Sequence, residues 1–336
     1  MFETKLLKGK EIKNIFMRSA TNEFYFDEDG GMTSDYLDYY EKFAKNEVGI
    51  IITGHAYVCE QGRASILQLN PSNNQNYEKF KELTRRVHEK GSRILMQLAH
   101  SGSKAKPAIT KTEVVGPNDE EGCRGLRDDD VKGIIEAFLK TAKLAEETGF
   151  DGVQIHCAHG YLLSSFIDSR KNHRQDNYGG CIENRLRLVL DIAKAIKSTV
   201  AEDFIIAVKI DADTTSTNDF IQMGKLLETA GIDLIEVSGM SYSQLPRDAE
   251  AYWLEECKRL KENTTVPVAI VGGIYNKSCA QRCLNEGIDI ISMSRPLISE
   301  PDLISKWKEE KEIASRCLRC GQCFNKERGK TCILNK

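Results

Sequence analysis

The sequence predicts an α/β protein, a (β/α)8 TIM barrel with a short C-terminal cysteine-rich extension, and three observations lead there. Short apolar runs recur about every forty residues, each followed by helical periodicity and then a turn. Eight such runs occur, and alternation of this kind gives parallel strands with crossover helices that close into a barrel at eight repeats. The 336 residues exceed an average domain, but barrels fill such a length as one unit, and no Pro/Ser-rich linker or low-complexity run divides the chain. The expected division is a barrel over residues 1–315 and a cysteine-rich tail over 316–336.

The expected strands cover residues 15–20, 49–53, 93–98, 152–156, 204–210, 234–237, 266–271 and 288–293. Between and after them, helical patterns cover 35–44, 77–89, 130–147, 184–200, 221–230, 249–261, 278–286 and 302–311. The first strand ends Arg18-Ser19-Ala20-Thr21 ahead of a loop rich in Asp and Gly, and the Thr21 hydroxyl can donate to a flat acceptor such as a flavin carbonyl. Taken alone, Thr21 also reads as an ordinary loop threonine. The second strand lies in the longest apolar stretch, 48–53, far shorter than a membrane span. Gln97 sits in the apolar third strand, where a primary amide offers a donor and an acceptor to a pyrimidine-like ring edge, or is simply a satisfied buried amide.

The fourth strand runs through Val153 to Ile155 into His156, His159 and Tyr161, so three rings that bind or transfer protons crowd one strand end. Barrel enzymes keep their chemistry at that end. The alternatives are a satisfied pair of core histidines or two ligands of a metal site, although no Glu at helical spacing completes a His-Glu-x-x-His pattern here. In the fifth strand, Lys209 interrupts an apolar run, and a buried cation needs an anionic partner or ligand; a snorkelling surface lysine is the other reading. Gly272-Gly273 follows the seventh strand and Ser294-Arg295 the eighth. Barrels commonly hold phosphate between these two loops, with backbone N–H groups approaching at glycines and an arginine adding a bidentate, charge-assisted contact.

Composition narrows the partner. A net charge of −3 and a pI near 6.2 give no basic field to gather nucleic acid or anionic lipid, so a small molecule is expected, with no membrane association; an oligomer is compatible with the sequence. The first ten residues lack an apolar core of signal-peptide length, which points to the cytoplasm. Seven of the eleven cysteines are scattered without pairing pattern and read as small apolar side chains of a reducing compartment.

Taken together, these residues resemble the old yellow enzyme family of NADH:flavin oxidoreductases, from the N-terminus to about residue 312. The resemblance is carried by the Arg-Ser-Ala-Thr end of strand one and by Gln97-Leu-Ala-His100. It is carried further by His156-Cys-Ala-His159-Gly-Tyr161, Arg174-Gln-Asp-Asn-Tyr-Gly-Gly180 with Glu183-Asn-Arg185, and Gly272-Gly273 with Arg295. It implies a barrel holding FMN non-covalently, with Ser19, Ala20, Thr21, Gly54, Gln97, Lys209, Gly272, Gly273, Ser294 and Arg295 as cofactor-binding positions. Thr21 would then sit near the flavin C4 carbonyl and N5, Gln97 at the pyrimidine edge, and Lys209 near N1 and the C2 carbonyl. Family members often carry arginine where Lys209 stands; lysine keeps the charge without the planar fork. His156 and His159 would hold the oxygen of an activated alkene, and Tyr161 would deliver its proton in an NAD(P)H-dependent ene-reductase. An amine demethylase or dehydrogenase on the same barrel, or an electron-transfer component, are the alternatives.

The tail places Cys317, Cys320, Cys323 and Cys332 in a C-x2-C-x2-C-x8-C set, which could coordinate a [4Fe-4S] cluster or one zinc, or remain as reduced thiols. It resembles the cluster-binding segment of the dienoyl-CoA reductase and trimethylamine dehydrogenase group, with a shorter last spacing.

Overall fold

All eight expected strands form, and they close on themselves in the computed structural model, which describes residues 1–309, 312–324 and 331–335. They are β1 (Phe16–Arg18), β2 (Ile50–Ile52), β3 (Arg93–Ala99), β4 (Gly152–Cys157), β5 (Ile205–Asp211), β6 (Leu234–Ser238), β7 (Val268–Val271) and β8 (Ile290–Met293). Each pairs in parallel with its sequence neighbours, and β8 returns to β1 with Ser292 beside Met17, which closes the barrel. A two-residue strand, Ala56–Tyr57, adds to the end of β3.

The outer helices are α1 (Ser34–Lys45), α2 (Asn76–His88), α3 (Asp128–Glu147), α4 (Arg187–Lys197), α5 (Thr217–Ala230), α6 (Leu254–Asn263), α7 (Lys277–Asn285) and α8 (Leu303–Lys308). Three depart from the sequence reading. The stretch expected at 184–200 is broken at Leu186 into a short turn, Ile182–Arg185, and α4, where the buried Arg185 pairs with the half-buried Asp219 at 2.6 Å. Helix α5 starts earlier than residue 221 because Ser216 accepts the Asp219 amide as an N-cap, and it stops at Gly231 in the left-handed region (φ 82°). Helix α6 starts only at Leu254, because the backbone of residues 251 and 252 is committed to the turn after β7: Ala251 N–H donates to Gly273 and Tyr252 N–H to Gly272, both at 3.2 Å. The last two residues of the expected 302–311 helix lie outside the described residues.

The sequence reading missed the short pieces. A hairpin, Lys5–Leu7 with Lys10–Ile12, precedes the barrel, and one-turn helices Leu162–Ile167 and Arg295–Ser299 follow β4 and β8. Each is too short to show a hydrophobic period.

Strand parity organises the interior. Side chains alternate along a strand, so residues two apart share a face. The inward positions nearest the N-terminal ends are apolar: Met17, Ile50, Leu95, Ala207, Leu234, Ala269 and Ile290 pack together, joined by Leu7 and Ile12 from the hairpin. One step of two further on, the inward positions become Ser19, Gln97, Lys209, Glu236 and Ser292, all buried. The next step brings Thr21, Asp211, Ser238 and Ser294 to the C-terminal ends. The core is thus an apolar base beneath two polar layers. Outside the barrel, a larger apolar cluster from the opposite strand faces and the helices fills the space between the two layers.

This closure leaves no room at Gly152, where a Cβ would stand 2.2 Å from the Ile205 carbonyl oxygen of the neighbouring strand. Gly152→Ala is expected to cost about 2 kcal/mol or more, because main chain must move to admit the methyl group. Urea unfolding checks it, and an unchanged midpoint would contradict the tight β4–β5 approach.

Candidate active site

The polar middle layer is a chain of hydrogen bonds across the barrel. Gln97 Nε2 donates to Gln154 Oε1 at 2.8 Å, and Gln154 Nε2 donates to Glu236 Oε2 at 2.9 Å. Ser292 Oγ donates to Glu236 Oε1 at 2.6 Å. Lys209 lies 3.4 Å from Glu236 and donates to Ser19 Oγ at 2.8 Å. With Lys209 3% and Glu236 0% exposed, this ion pair is removed from water, which is tolerable only because its polar atoms are bonded. Burial alone would raise the Glu236 pKa; the Lys209 charge and the hydrogen bonds from Ser292, Ser19 and Gln154 outweigh it and hold the group ionised. The anionic partner that Lys209 requires is therefore Glu236. Sequence reading missed Glu236 although it interrupts the apolar sixth strand just as Lys209 interrupts the fifth.

Above this layer a cavity of about 430 Å³ opens at the C-terminal ends of the strands, a size suited to a cofactor-sized ligand. Its wall includes Ser19, Ala20, Thr21, Gln97, His156, His159, Tyr161, Lys209, Gly272, Gly273, Ser294 and Arg295. Gly54 is not on that wall. Its N–H donates to Glu23 at 2.9 Å and to the Tyr40 hydroxyl at 2.7 Å, and a Cβ would run into the Glu23 carboxylate, so its requirement is packing behind the cavity. Thr21 Oγ1 meets Ser294 Oγ at 2.7 Å and accepts from Arg18 at 2.8 Å, which fixes the β1 and β8 ends to one another.

The three rings of the fourth strand converge as their spacing suggests. The centroids of His156 and His159 are 5.2 Å apart, and those of His156 and Tyr161 are 5.1 Å apart. His159 is in the left-handed region (φ 61°); its amide donates to Asp211 at 2.7 Å and its Nε2 meets Ser238 Oγ at 2.9 Å. His156 Nδ1 is buried and has no hydrogen-bond partner among the described residues, as fits a group waiting for a ligand atom. The Tyr161 hydroxyl meets His55 Nε2 at 3.3 Å. His55 is a site residue that sequence reading missed; its signal was a histidine just past the second strand end.

Burial dominates the protonation states. It pushes His156 well below the ordinary imidazole value and His159 down to about 3, with the His55, Lys104 and Lys209 charges acting the same way on both, so both rings are neutral. It pushes the Tyr161 phenol up to about 12, so Tyr161 keeps its proton at any working pH. No set of three His, Cys, Asp or Glu that could hold a metal occurs among the described residues, so the histidine pair has no third ligand there to complete a metal site.

These residues fit the flavin mononucleotide implied by the resemblance. The orphaned His156 nitrogen, the buried Lys209 charge and the Gln97 amide lie on one cavity, with Arg295 at its other end. Among the described residues Arg295 has no carboxylate partner within ion-pair distance, and its guanidinium is faced by the Tyr275 and Tyr252 phenols. The glycine pair has a second duty. Gly272 and Gly273 take positive φ (117° and 74°), and Cβ atoms on them would collide with the Tyr252 ring and the Ala251 amide, so glycine is needed for this close approach whatever binds. The Arg174 motif lies off the cavity. Its guanidinium ties the Pro117 and Leu126 carbonyls at 2.9 and 2.8 Å, holding the loops around the site.

In the tail, Cys317, Cys320, Cys323 and Cys332 line one small cavity of about 10 Å³ against Arg295, Ile298 and Ser299. That is space for about one water, not for four irons. The four thiols share this lining, but as they stand no three of them form a set that could hold a metal ion. Arg316 donates to the Ser299 carbonyl at 2.9 and 2.6 Å, and the Arg319 guanidinium stacks 3.9 Å over Tyr275, which pins the tail to the barrel.

Comparisons with known proteins agree with this geometry. Residues 1–313 match the model of the NADH:flavin oxidoreductase / NADH oxidase family. A NADPH dehydrogenase of Bacillus subtilis (strain 168) is 30% identical over 314 residues, covering 90% of this chain and 92% of that protein. A NADH oxidase of Thermoanaerobacter brockii is 32% identical over 314 residues, but those cover 87% of this chain and only 48% of the relative. The chain therefore spans about half the length of that larger relative. Among solved structures, an old yellow enzyme homologue of Zymomonas mobilis superposes with a TM-score of 0.82 at 24% identity, covering 94% of each chain. A 2-naphthoyl-CoA reductase superposes with a TM-score of 0.90 at 22% identity, covering 99% of this chain and 56% of that one. At these identities the two structures show the fold. No described helix is long and apolar enough to cross a membrane.

The buried histidines make stability depend on acid. His156, His159 and His100, the last pushed down to about 4 by burial, titrate below the ordinary imidazole value of 6.5. Between about pH 6.5 and pH 4 the unfolded chain therefore binds protons that the folded chain does not, at about 1.4 kcal/mol per unit of displacement. Their contribution is complete above pH 6.5 and drains as pH falls. Asp211, raised to about 6 by burial, acts in the opposite sense, its contribution being lost as pH rises through 6, but it is one group against three. The expected result is a Tm that is level above about pH 7 and falls steadily toward pH 4; calorimetry showing a level Tm across that acid range would contradict these burial assignments.

Proposed function

The chain belongs to the NADH:flavin oxidoreductase / NADH oxidase family, the family of the old yellow enzymes, and from that premise we propose that it is an FMN-dependent ene-reductase. In this reading it takes hydride from NADH or NADPH and delivers it to an alkene activated by a carbonyl or nitro group. The observation that carries the proposal is the convergence of two neutral imidazoles and one protonated phenol on a single cavity wall.

Bound FMN supplies the hydride transfer; the chain supplies placement, polarisation and a proton. His156 and His159 hold the substrate oxygen, where negative charge grows as hydride arrives at the β-carbon, and preorganised donors in a dry site stabilise that charge. Tyr161 holds the proton for the α-carbon, and His55 orients its hydroxyl. Lys209 keeps positive charge on the cavity wall, and Glu236 keeps Lys209 in place. Gln97, Thr21, Ser19, Ala20 and Ser294 are proposed to face the flavin ring, and Arg295 the phosphate. An amine dehydrogenase on the same barrel would have less use for two imidazoles placed to hold an oxygen beside a phenol placed to give a proton.

For the tail, the proposal is that Cys317, Cys320, Cys323 and Cys332 are thiolate ligands, with the gathered thiols as its support. Loading would have to draw them apart around a cluster or together on zinc. Anaerobically purified protein is expected to carry iron and acid-labile sulfide in cluster proportion; flavoprotein without either, and without zinc, would reduce the tail to packing.

Tyr161→Phe separates catalytic from structural roles. Flavin reduction by the nicotinamide cofactor should be nearly unaffected, whereas the alkene half-reaction should slow by roughly 100- to 10,000-fold, the usual contribution of a positioned general acid. Stopped-flow measurement of the two half-reactions checks this. Equal impairment of both, or an alkene step at the parent rate, would remove Tyr161 from the mechanism.

A further inference from the structure

The mouth of the cavity carries charge that hydride and proton delivery do not use. Lys104 lines the cavity, donates to the His159 carbonyl at 2.5 Å and stands 5.9 Å from the centre of the Tyr161 ring. Lys171 reaches the same place across Gly160, where a Cβ would lie 3.0 Å from Lys171 Nζ and 3.2 Å from Lys104 Nζ. Gly160 is in the left-handed region (φ 69°), and its missing side chain lets the two ammonium groups draw together.

Nearby acids offset part of this charge without pairing with it: the Asp211 carboxylate acts on Lys104, and its Oδ1 is buried with no hydrogen-bond partner among the described residues. Asp168 is bonded to the Arg170 side chain through both oxygens at 2.9 Å, and Asp211 accepts from the His159 amide at 2.7 Å and the Ser164 hydroxyl at 2.8 Å. Among the described residues neither Lys104 nor Lys171 has a carboxylate within ion-pair distance. Two like charges held side by side at the cavity mouth repel one another; burial and then the Lys171 charge lower the Lys104 pKa, and the Asp211 carboxylate offsets only part of that. An anion set between them relieves that repulsion and gains from both charges.

We propose that Lys104 and Lys171 bind an anionic group, a carboxylate or a phosphate ester, at the distal end of the alkene substrate. A substrate whose oxygen is held by His156 and His159 leads past Tyr161 to this pair, so the preferred alkene carries a negative charge beyond its activating group. The inference rests on the ene-reductase reading for the identity of the ligand, and its test does not require turnover.

The FMN-loaded protein is titrated with an unreactive saturated ketone in three forms, carrying a distal carboxylate, its methyl ester, or a phosphate monoester, with flavin absorbance as the readout. The parent protein should bind at least one charged form about tenfold tighter than the ester at low ionic strength, and the form preferred identifies the anion. High salt should shrink the difference. Lys171→Ala should remove most of it and leave ester affinity alone. It is a cleaner variant than Lys104→Ala, because Lys104 also holds the His159 carbonyl. Equal affinities for charged and ester forms in the parent would overturn the proposal, as would a loss common to all three in Lys171→Ala. A variant that instead slows flavin reduction by NADPH, with the titrations unchanged, would assign the pair to the nucleotide phosphates and also overturn it. Failure of the parent protein to reduce any alkene would bear on the reductase reading alone, since the titrations stand apart from it.

Discussion

The structure depends on one buried interaction, the Glu236 carboxylate at the centre of the barrel. It accepts from Gln154 and Ser292 and faces Lys209, which in turn holds Ser19; Gln97 is tied in through Gln154. Strands on every side of it thus place a polar side chain by reference to one anion. Such a group is expensive to bury, and removal of one partner of a buried pair costs about 3–5 kcal/mol because the other is left uncompensated. The return is position: the inward residues of the middle layer cannot shift along their strands without breaking bonds in a medium where no water replaces them. Ser19, Gln97, Lys209 and Ser292 of this layer themselves line the cavity, and Thr21, His156, Ser238 and Ser294 line it one strand step above.

The same burial sets the chemistry. Glu236 remains charged because Lys209 and three hydrogen bonds offset desolvation, whereas His156 and His159 lose their charge because burial and nearby cations act together. Tyr161, buried without a charged partner that would favour its ionisation, keeps its proton. Ionised, neutral and protonated groups therefore stand within a few strand steps of one another, each in the state that alkene reduction would require. The lysine pair at the mouth is the exception, two cations with no carboxylate between them among the described residues.

Much of this was legible in the sequence because strand parity and strand ends are local signals. The apolar runs located every barrel strand, and the residues just past the ends of those runs included His156, His159, Tyr161 and Arg295. Lys209 stood out as a charge in an apolar run. Glu236 carried the same signal and was missed because the strand was read as a run and not by which face each residue takes. Other features were not local. Residues 249–253 have helical composition, but the turn at Gly272 and Gly273 holds the backbone of residues 251 and 252. Gly54 looked like a cofactor contact until Glu23, from another strand end, filled the space beside it. The meetings of His55 with Tyr161 and of Lys104 with Lys171 are products of closure, since no sequence period joins such distant positions.

The central claim is that this cavity reduces alkenes and does not merely pass electrons. It is tested most directly by supplying the purified, FMN-loaded chain with NADPH and an enone in D2O under anaerobic conditions, then examining the product by NMR. The expected product is a saturated ketone with deuterium at the α-carbon, on the face opposite the hydride at the β-carbon. Consumption of NADPH with dye acceptors while the enone is recovered unchanged would contradict it.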